Sequence, residues 1–201
     1  MGTAMRIIGL TGGVGMGKTT VSEYLKTRYK LPILDADVYA RAAVEPDSPI
    51  LSRLAERYGP EILLPTGALN RSRLGDILFN DAAERRWIEQ QIHPYVRHQM
   101  TTDLHRLVDQ GCPTVVLVIP LLFEAGLTDL VTEIWVVSAS QQQQIERLKQ
   151  RDRLNLNQIQ ARIASQMPIT AKIAQADVVL DNSSSSEALF QQVDQALMGR
   201  D

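Results

Sequence analysis

A glycine-rich loop is the first pattern in the chain that predicts chemistry. Residues 12–19, GGVGMGKT, match the pattern G-x-x-x-x-G-K-[ST] in full, between an apolar segment and a predicted helix. Glycines allow the backbone to turn tightly and aim successive N–H groups at a phosphate, and the helix adds the positive end of its dipole. Lys18 is expected to reach the β- and γ-phosphates, and the Thr19 hydroxyl to bind Mg²⁺. The loop therefore predicts a nucleoside triphosphate site. The alternative is a glycine-rich turn with a surface lysine.

Two aspartates follow the second predicted strand, which runs from Pro32 to Leu34. Asp35 and Asp37 are two residues apart, and residues at this spacing in an extended chain point to the same face. Ligands of open parallel sheets bind beyond the C-terminal ends of the strands. One carboxylate would support the magnesium shell, and the other would accept the proton of an attacking hydroxyl. The alternative is a helix N-cap, where aspartate is favoured.

Arginines are concentrated in residues 146–153, ERLKQRDR. Arg147 and Arg151 are four residues apart and share a face of a predicted helix. Kinases often neutralise the charge of the moving phosphoryl group by closing an arginine-bearing segment over it. Arg151 is the best candidate for this contact, and a solvated charged face is the alternative. His93 precedes Pro94, where a helix would restart or kink, and by itself is more typical of a packing residue.

Two absences narrow the function. The apolar segment from Thr114 to Ile119 continues into Pro120 and reaches Glu124 without the aspartate that a motor or switch NTPase places after such a strand. The chain also has no N-K-x-D stretch, so nothing supports guanine specificity. Both absences favour a small-molecule kinase that uses ATP.

Five short apolar segments predict strands, and helical patterns separate them. The strands are Arg6–Leu10, Pro32–Leu34, Thr114–Ile119, Glu133–Val137 and Asp177–Leu180, and the intervening helices are Gly17–Tyr29, Gln141–Arg151, Leu156–Met167 and Ser186–Met198. This alternation predicts an α/β fold with a doubly wound five-stranded parallel sheet.

The stretch from residue 38 to residue 110 reads as helical with breaks. Pro46 and Pro49 are expected to end one helix, and the Gly59-Pro60 pair another. Asp81 resembles a helix N-cap. The stretch is too long for a simple crossover, so it is predicted to be an inserted helical region that holds an acceptor.

Composition fits one compact domain. The chain has 201 residues, a formal net charge of −2 and one cysteine. The charge argues against a general nucleic-acid binder, and a lone cysteine forms no intrachain disulfide. No apolar stretch approaches the roughly 20 residues that cross a bilayer. A soluble, cytoplasmic protein is expected.

In their order along the chain, these motifs resemble the dephospho-CoA kinase family over nearly the whole sequence. The segments that carry the resemblance are Gly9–Thr20, Asp35–Asp37 with Ala40-Arg41, Ile92–Pro94, Pro120–Glu124, Arg147–Asp152, Gln166-Met167 and Ala176–Asn182. Met16 stands where the family usually has serine, and Thr19 where serine is common.

The resemblance implies a fold of the P-loop kinase type and transfer of a phosphoryl group from ATP, with Mg²⁺, to the ribose 3′-hydroxyl of dephospho-CoA. It implies a single domain with a core of about residues 5–37, 111–140 and 175–201. A helical CoA-binding region would span about 38–110, and a helical lid about 141–170. The expected partners are ATP and dephospho-CoA, with no nucleic acid and no membrane, and the chain is expected to be a monomer or a weak homo-oligomer.

The resemblance also implies roles for individual residues. Asp37 would be the base, Lys18 and Arg151 would contact phosphate, and Asn182 would lie near adenine. Asp35, Arg41 and His93 would hold the acceptor, and Thr19 would bind Mg²⁺. The predicted nucleotide contacts are Gly13, Val14, Gly15, Met16, Gly17, Lys18, Thr19, Thr20, Arg147 and Asn182.

Two other functions remain open at this stage. One is a nucleoside-monophosphate or shikimate-type kinase, which shares the P-loop and can share an aspartate pair. The other is an ATP-driven binding or regulatory module that acts on a protein or nucleic acid.

Overall fold

The computed structural model of the chain describes residues 5–152 and 154–199, apart from the side chains of residues 79 and 80. These residues form two compact units. We call them the sheet unit, which takes in the described residues up to Asp35 and from Leu107 onward, and the helical unit, Ala36–Arg106.

The sheet unit is built on five parallel strands. They are β1 (Arg6–Gly12), β2 (Ile33–Asp35), β3 (Thr114–Val118), β4 (Glu133–Ser138) and β5 (Val178–Asp181), in the spatial order β2-β3-β1-β4-β5. The predicted five-stranded parallel sheet is confirmed, with strand ends that differ from the sequence prediction by one or two residues. β1 continues to Gly12, β2 ends at Asp35 and β5 ends at Asp181.

Helices connect these strands and make up most of the helical unit. In chain order they are α1 (Lys18–Tyr29), α2 (Ala36–Ala42), α3 (Pro49–Tyr58), α4 (Arg71–Asn80), α5 (Ala82–Asp109), α6 (Gln141–Asp152), α7 (Leu156–Ala164), α8 (Ile169–Ile173) and α9 (Ser186–Met198), with short 3₁₀ turns at Pro60–Ile62 and Thr128–Leu130. The predicted helix Leu156–Met167 is too long. α7 ends at Ala164, and the separate helix α8 was not predicted.

The core of the sheet unit explains why the central strands are apolar. Strand β1 pairs with β3 at one edge and with β4 at the other, so it lies in the middle of the sheet, where helices of a parallel sheet cover both faces. Ile8, Leu10, Val116, Trp135 and Val137 are buried together with residues from the flanking helices. The same packing fixes the C-terminal end of β1, where the glycine-rich loop begins.

The helical unit has a core of its own. Ile50, Leu51 and Leu54 of α3 are buried there with residues from the following helices. The prediction that Pro49 ends a helix is wrong. Pro49 occupies the first turn of α3, behind the Ser48 N-cap, because proline lacks the N–H that this turn leaves unused anyway.

Two other predictions about helix ends have different outcomes. α3 ends at Tyr58, directly before the predicted break at Gly59, and the Asp81 carboxylate accepts the N–H groups of Ala83 and Glu84, as an N-cap would. Pro94 does not restart a helix, since α5 runs through it from Ala82 to Asp109. In the part of the chain that the structure describes, no helix is long and apolar enough to cross a membrane.

Candidate active site

The glycine-rich loop joins β1 to α1, and two of its glycines cannot be replaced without conflict. Gly12 has a φ of 144°, and a Cβ there would lie 2.3 Å from the carbonyl oxygen of Val137. Gly17 has a φ of 106°, and a Cβ would lie 2.1 Å from Nδ2 of Asn182. Gly17 caps α1, whose first turn offers N–H groups with no partner inside the helix. Such a turn binds anions.

The lysine and threonine of the motif lie where the loop enters the helix. The Lys18 ammonium group donates to the carbonyl oxygens of Gly12 and Gly13, at 2.9 Å each. The Lys18 charge therefore lies over the loop. Thr19 and Thr20 are exposed in the first turn of α1.

Asn182 and Arg147 meet at the same loop. Asn182 is buried, and its Nδ2 donates to the carbonyl oxygen of Met16 at 2.9 Å. Arg147 donates from one terminal nitrogen, Nη2, to the carbonyl oxygen of Asn182 at 3.1 Å. The other terminal nitrogen, Nη1, is buried without a hydrogen-bond partner among the described residues, 4.0 Å from the place that a Cβ on Gly17 would take. A buried guanidinium nitrogen left unpaired beside a phosphate-binding loop fits an anionic ligand.

Two glutamines hold the peptide groups of Val14. Nε2 of Gln144, on α6, donates to the Val14 carbonyl oxygen at 2.8 Å. The Val14 N–H donates to Oε1 of Gln166, in the segment between α7 and α8, at 2.9 Å. Neither glutamine was predicted to contact the loop. Gln144 lies in the predicted helix Gln141–Arg151, and Gln166 contributes only to the family resemblance.

A buried lysine fixes the segment that carries Gln166. Lys172 has no exposed surface, and it contacts Glu124 at 2.9 Å and the carbonyl oxygen of Pro120 at 3.0 Å. Glu124 also accepts the N–H of Met167 at 2.9 Å. Burial would raise the pKa of Glu124, but the hydrogen bonds from Lys172 and Met167 together bring this pKa below its ordinary value. The Pro120 carbonyl oxygen also accepts the hydroxyl of Thr11 on β1.

Arg151, a predicted phosphate contact, is paired with a carboxylate. Its guanidinium group binds Asp152 through Nε at 2.7 Å and through Nη2 at 3.0 Å, and Arg162 binds the same carboxylate at 2.7 Å. The hydrogen bond with Asp152 raises the pKa of Arg151, and the hydrogen bond from Arg151 lowers the pKa of Asp152. More than half of the Arg151 side chain is exposed.

The two aspartates belong to different elements. Asp35 is the half-buried last residue of β2, whereas Asp37 is exposed in the first turn of α2. The prediction that both carboxylates share one face of an extended chain is wrong, because the chain becomes helical at Ala36. Asp37 lies inside the first turn of α2, where a negative charge is favoured, and not at the N-cap position that the alternative named.

Helix α2 is held within the helical unit by a tyrosine. The Tyr39 hydroxyl donates to the Asp103 carboxylate of α5 at 2.5 Å, and Arg106 contacts Asp103 at 2.8 Å. Burial and the hydrogen bond to Asp103 raise the pKa of Tyr39. Arg41 is exposed in the last turn of α2. The helix that carries Asp37 and Arg41 thus has a polar contact to the long helix α5.

A second polar cluster lies between α3 and α5. Arg57 binds Glu84 with two parallel hydrogen bonds of 2.7 and 2.8 Å and lies over the Trp87 ring, 4.3 Å from its centre, and the Tyr58 hydroxyl donates to Glu84. The hydrogen bonds from Arg57 and Tyr58 lower the pKa of Glu84 to about 2. We call these four residues the Glu84 cluster.

A cavity of about 250 Å³ opens elsewhere in the helical unit. It is lined by Ala43, Ser48, Pro49, Ile50, Arg53, Gln91, Pro94 and Tyr95. His93, a predicted acceptor contact, is half-buried on α5 next to Pro94 and is not among the lining residues.

The residues around the loop are compatible with Mg²⁺ bound as in enzymes that act on phosphates. Within residues 5–152 and 154–199, no three His, Cys, Asp or Glu side chains are grouped to hold a metal. Mg²⁺ is typically held by one or two protein oxygens, several waters and the phosphates of the substrate, so an all-protein cage is not required. The exposed Thr19 hydroxyl is a hard oxygen donor of the right kind.

The structure therefore brings together one part of the predicted site. Gly12, Gly17, Lys18, Arg147 and Asn182 meet around the loop. Arg151 is turned to Asp152, and Asp37, Arg41 and His93 lie on helices of the helical unit.

Comparisons with known proteins agree with this picture. A family model described as dephospho-CoA kinase matches residues 6–188. A dephospho-CoA kinase from Trichormus variabilis is 57% identical over 192 residues, which cover 96% of each chain. A solved structure from Thermus thermophilus is 32% identical and superposes with a TM-score of 0.81, covering 99% of this chain and 100% of the other. A dephospho-CoA kinase from Campylobacter jejuni shares the fold at a TM-score of 0.72, with 23% identity and 96% coverage of both chains.

Proposed function

The chain belongs to the dephospho-CoA kinase family, and from this premise we propose how its residues carry out the reaction. It is an ATP-dependent kinase of the final step of coenzyme A biosynthesis. The proposed reaction transfers the γ-phosphate of ATP to the ribose 3′-hydroxyl of dephospho-CoA and gives CoA and ADP. The observation that carries the proposal is the family match over residues 6–188, together with a complete phosphate-binding loop.

The loop and the helix after it bind the triphosphate. In this proposal the N–H groups of residues 15–20, at the end of the loop and the start of α1, bind the phosphates, whereas the Val14 N–H stays with Gln166. Lys18 moves from its own loop carbonyls to the β- and γ-phosphates. Arg147 supplies the buried Nη1, which has no hydrogen-bond partner in the part of the chain that the structure describes, and this supports a contact with the nucleotide. Asn182 supports the Met16 carbonyl and borders the base.

The proton of the acceptor passes to Asp37. As the ribose 3′-oxygen bonds to the γ-phosphorus, the bond from that phosphorus to the β–γ bridging oxygen breaks, and ADP leaves with the electron pair. Exposure of Asp37 in the first turn of α2 supports this role, because its carboxylate is accessible to an acceptor. Asp35, Arg41 and His93 hold the acceptor in this proposal.

Two side chains complete the proposed charge balance. Thr19 would hold Mg²⁺, which when bound neutralises charge on the β- and γ-phosphates. Arg151 leaves Asp152 to contact the transferred phosphoryl group. Its exposure supports such a movement, since a surface ion pair costs little to break. We further propose that the enzyme works as a monomer or weak homo-oligomer in the cytoplasm.

The experiment is a comparison of acceptors. ADP release is measured with ATP and Mg²⁺ in the presence of dephospho-CoA, AMP, adenosine, shikimate or no acceptor. Turnover only with dephospho-CoA, with CoA as the product, is expected. Turnover with AMP or shikimate would move the chain to another class of metabolite kinase, and equal turnover without any acceptor would point to an ATP-driven regulatory module.

A further inference from the structure

The carbonyl oxygens of the phosphate-binding loop need hydrogen-bond donors, and the loop's own residues supply only some of them. A loop that aims N–H groups inward at an anion must turn its carbonyl oxygens outward, and outward carbonyls need donors if they are not to be left without hydrogen bonds. Lys18 donates to the carbonyls of Gly12 and Gly13. Further along the loop, the carbonyls of Val14 and Met16 also accept hydrogen bonds.

Side-chain amides from distant segments provide those donors. Gln144 donates to the Val14 carbonyl at 2.8 Å, and Asn182 donates to the Met16 carbonyl at 2.9 Å. Gln166 accepts the Val14 N–H at 2.9 Å. We call Gln144 and Gln166 the amide clamp, because together they hold both peptide groups of one loop residue.

The direction of each hydrogen bond in the clamp is unambiguous. A backbone carbonyl only accepts and a backbone N–H only donates, so Gln144 must present its nitrogen and Gln166 its oxygen. Amides also suit the position because they carry no charge. A carboxylate beside the loop would repel a triphosphate, and an ammonium group would compete with Lys18 for it.

Both residues of the clamp are held firmly. Gln144 is 3% exposed, and its neighbour on α6, Leu148, is fully buried. Gln166 precedes Met167, whose N–H is bound to Glu124, and Glu124 is bound to the wholly buried Lys172. Gln166 is therefore attached to the core through its own backbone. This attachment favours a role as a permanent support of the loop over a role as a side chain that blocks the site until phosphate displaces it.

From this geometry we propose that Gln144 and Gln166 are positioning residues of the nucleotide site. They fix the Val14 peptide groups so that the N–H groups of the following loop residues remain directed at the phosphates. The inference rests on the proposed function in one respect, that the loop binds the phosphates of ATP. It adds that the predicted lid, residues 141–170, holds the loop through one residue near each end of the lid, Gln144 and Gln166.

The first test removes one hydrogen bond without changing size. Gln166→Met keeps the side-chain volume and loses the acceptor, and Gln160→Met makes the same change at an exposed position of α7. We expect the Kd for ADP, measured by calorimetry, to rise about three- to tenfold in Gln166→Met and to stay unchanged in Gln160→Met. The KM for ATP should rise with it, and the KM for dephospho-CoA should not.

The second test uses a matched pair of charges. Gln166→Glu and Gln144→Glu each add one carboxylate beside Val14, but only Gln166→Glu keeps the required acceptor. Above neutral pH we expect Gln144→Glu to bind ADP more weakly than Gln166→Glu. As the pH falls, both introduced carboxyls lose their negative charge, but only the one at position 144 also gains a proton that it can donate to the Val14 carbonyl, so ADP affinity should recover more in Gln144→Glu than in Gln166→Glu.

Controls separate positioning from folding and from failure of the proposed function. The melting temperature of each variant is measured, and Gln144→Met serves if Gln144→Glu does not fold. Tighter ADP binding in Gln166→Met would show that Gln166 blocks the site, and it would overturn the proposal. Unchanged ADP binding in Gln166→Met, or the same pH profile in both glutamate variants, would also overturn it. Because ADP binding needs no acceptor, a wild-type protein that binds ADP but does not phosphorylate dephospho-CoA would contradict the proposed function alone.

Discussion

The two units hold their functional residues in different ways. In the sheet unit, the phosphate-binding loop is supported by side chains that lie 130 to 166 residues further along the chain, on separate segments. In the helical unit, the Tyr39–Asp103 contact that holds α2 joins residues 64 positions apart, and the hydrogen bonds to Glu84 join residues 26 or 27 positions apart. The loop is thus supported from more distant parts of the sequence than the helices of the helical unit are.

This difference indicates a division of tasks. A triphosphate has the same geometry in every turnover, so a rigid loop supported from several sides suits it. The proposed base Asp37 and acceptor residue Arg41 lie on the seven-residue helix α2, which buries only Ala36. If the units divide the work in this way, changes in the sheet unit should act on ATP affinity and stability, and changes in the helical unit on turnover and acceptor affinity.

The largest effect is expected from Asp37→Asn. The change removes the proton acceptor and keeps the shape, so kcat should fall by about 10²- to 10⁴-fold, while the Kd for ATP stays near that of the wild type. Steady-state kinetics and calorimetry measure the two quantities, and Asp35→Asn is the matched control. Near-normal turnover in Asp37→Asn, with a loss of turnover in Asp35→Asn instead, would assign the base to the sheet unit. That result would contradict the division of tasks between the two units.

The next effect is on the stability of the sheet unit. Lys172→Met removes the buried partner of Glu124 and should lower the free energy of unfolding by about 3–5 kcal/mol. The paired change Lys172→Met with Glu124→Leu should be less damaging, because no buried charge is then left alone. Urea unfolding measures both. Arg57→Met is the counterpart in the helical unit, and an equal loss there would show that the two units do not differ in this respect.

A smaller effect is expected from Gly17→Ala. The positive φ costs about 1–2 kcal/mol for a residue with a side chain, and the new methyl group would displace the Asn182 amide. Gly111→Ala is a matched control, since Gly111 also has a positive φ, 70°, but nothing lies within 4 Å of the added Cβ. Both variants should lose stability, and only Gly17→Ala should lose ADP affinity. Equal ADP affinity in the two would remove Asn182 from the support of the loop.

The smallest effect concerns the pH dependence of the helical unit. Because its folded-state pKa is lowered to about 2 from an ordinary 4.5, Glu84 contributes stability that is present above pH 4.5 and lost as the pH falls towards 2. Urea midpoints between pH 5 and pH 2.5 should therefore fall more steeply in the wild type than in Glu84→Gln. Identical slopes would show that the cluster does not stabilise the unit.

The sequence predicts the parts of this molecule that local patterns encode. The phosphate-binding loop is readable because its residues are consecutive, and the strands are readable because buried parallel strands are continuously apolar. Asp35 lies at the end of its strand as predicted. The prediction for Asp37 failed because α2 begins directly after β2, at Ala36, so Asp37 lies in a helix and not in an extended chain.

The supports of the loop could not be read in the same way. Gln144 lies in a run of four glutamines, and nothing local distinguishes the one that faces the loop from the three that do not. Lys172 lies in a five-residue helix and resembles a surface lysine until the fold buries it against Glu124. These contacts depend on which strands are neighbours, which is a property of the whole chain.

The hydrogen bond from Val14 to Gln166 also has a consequence for isotope exchange. Loop amides ordinarily exchange their hydrogen rapidly with heavy water, because nothing in the protein holds them. The Val14 N–H is held by Gln166, and the Met167 N–H by Glu124, which is bound to a lysine with no exposed surface. These two amides belong to no helix or strand, yet they should retain their protons much as the central strands do. Val14 therefore provides a natural label, within the phosphate-binding loop itself, for how often the loop opens.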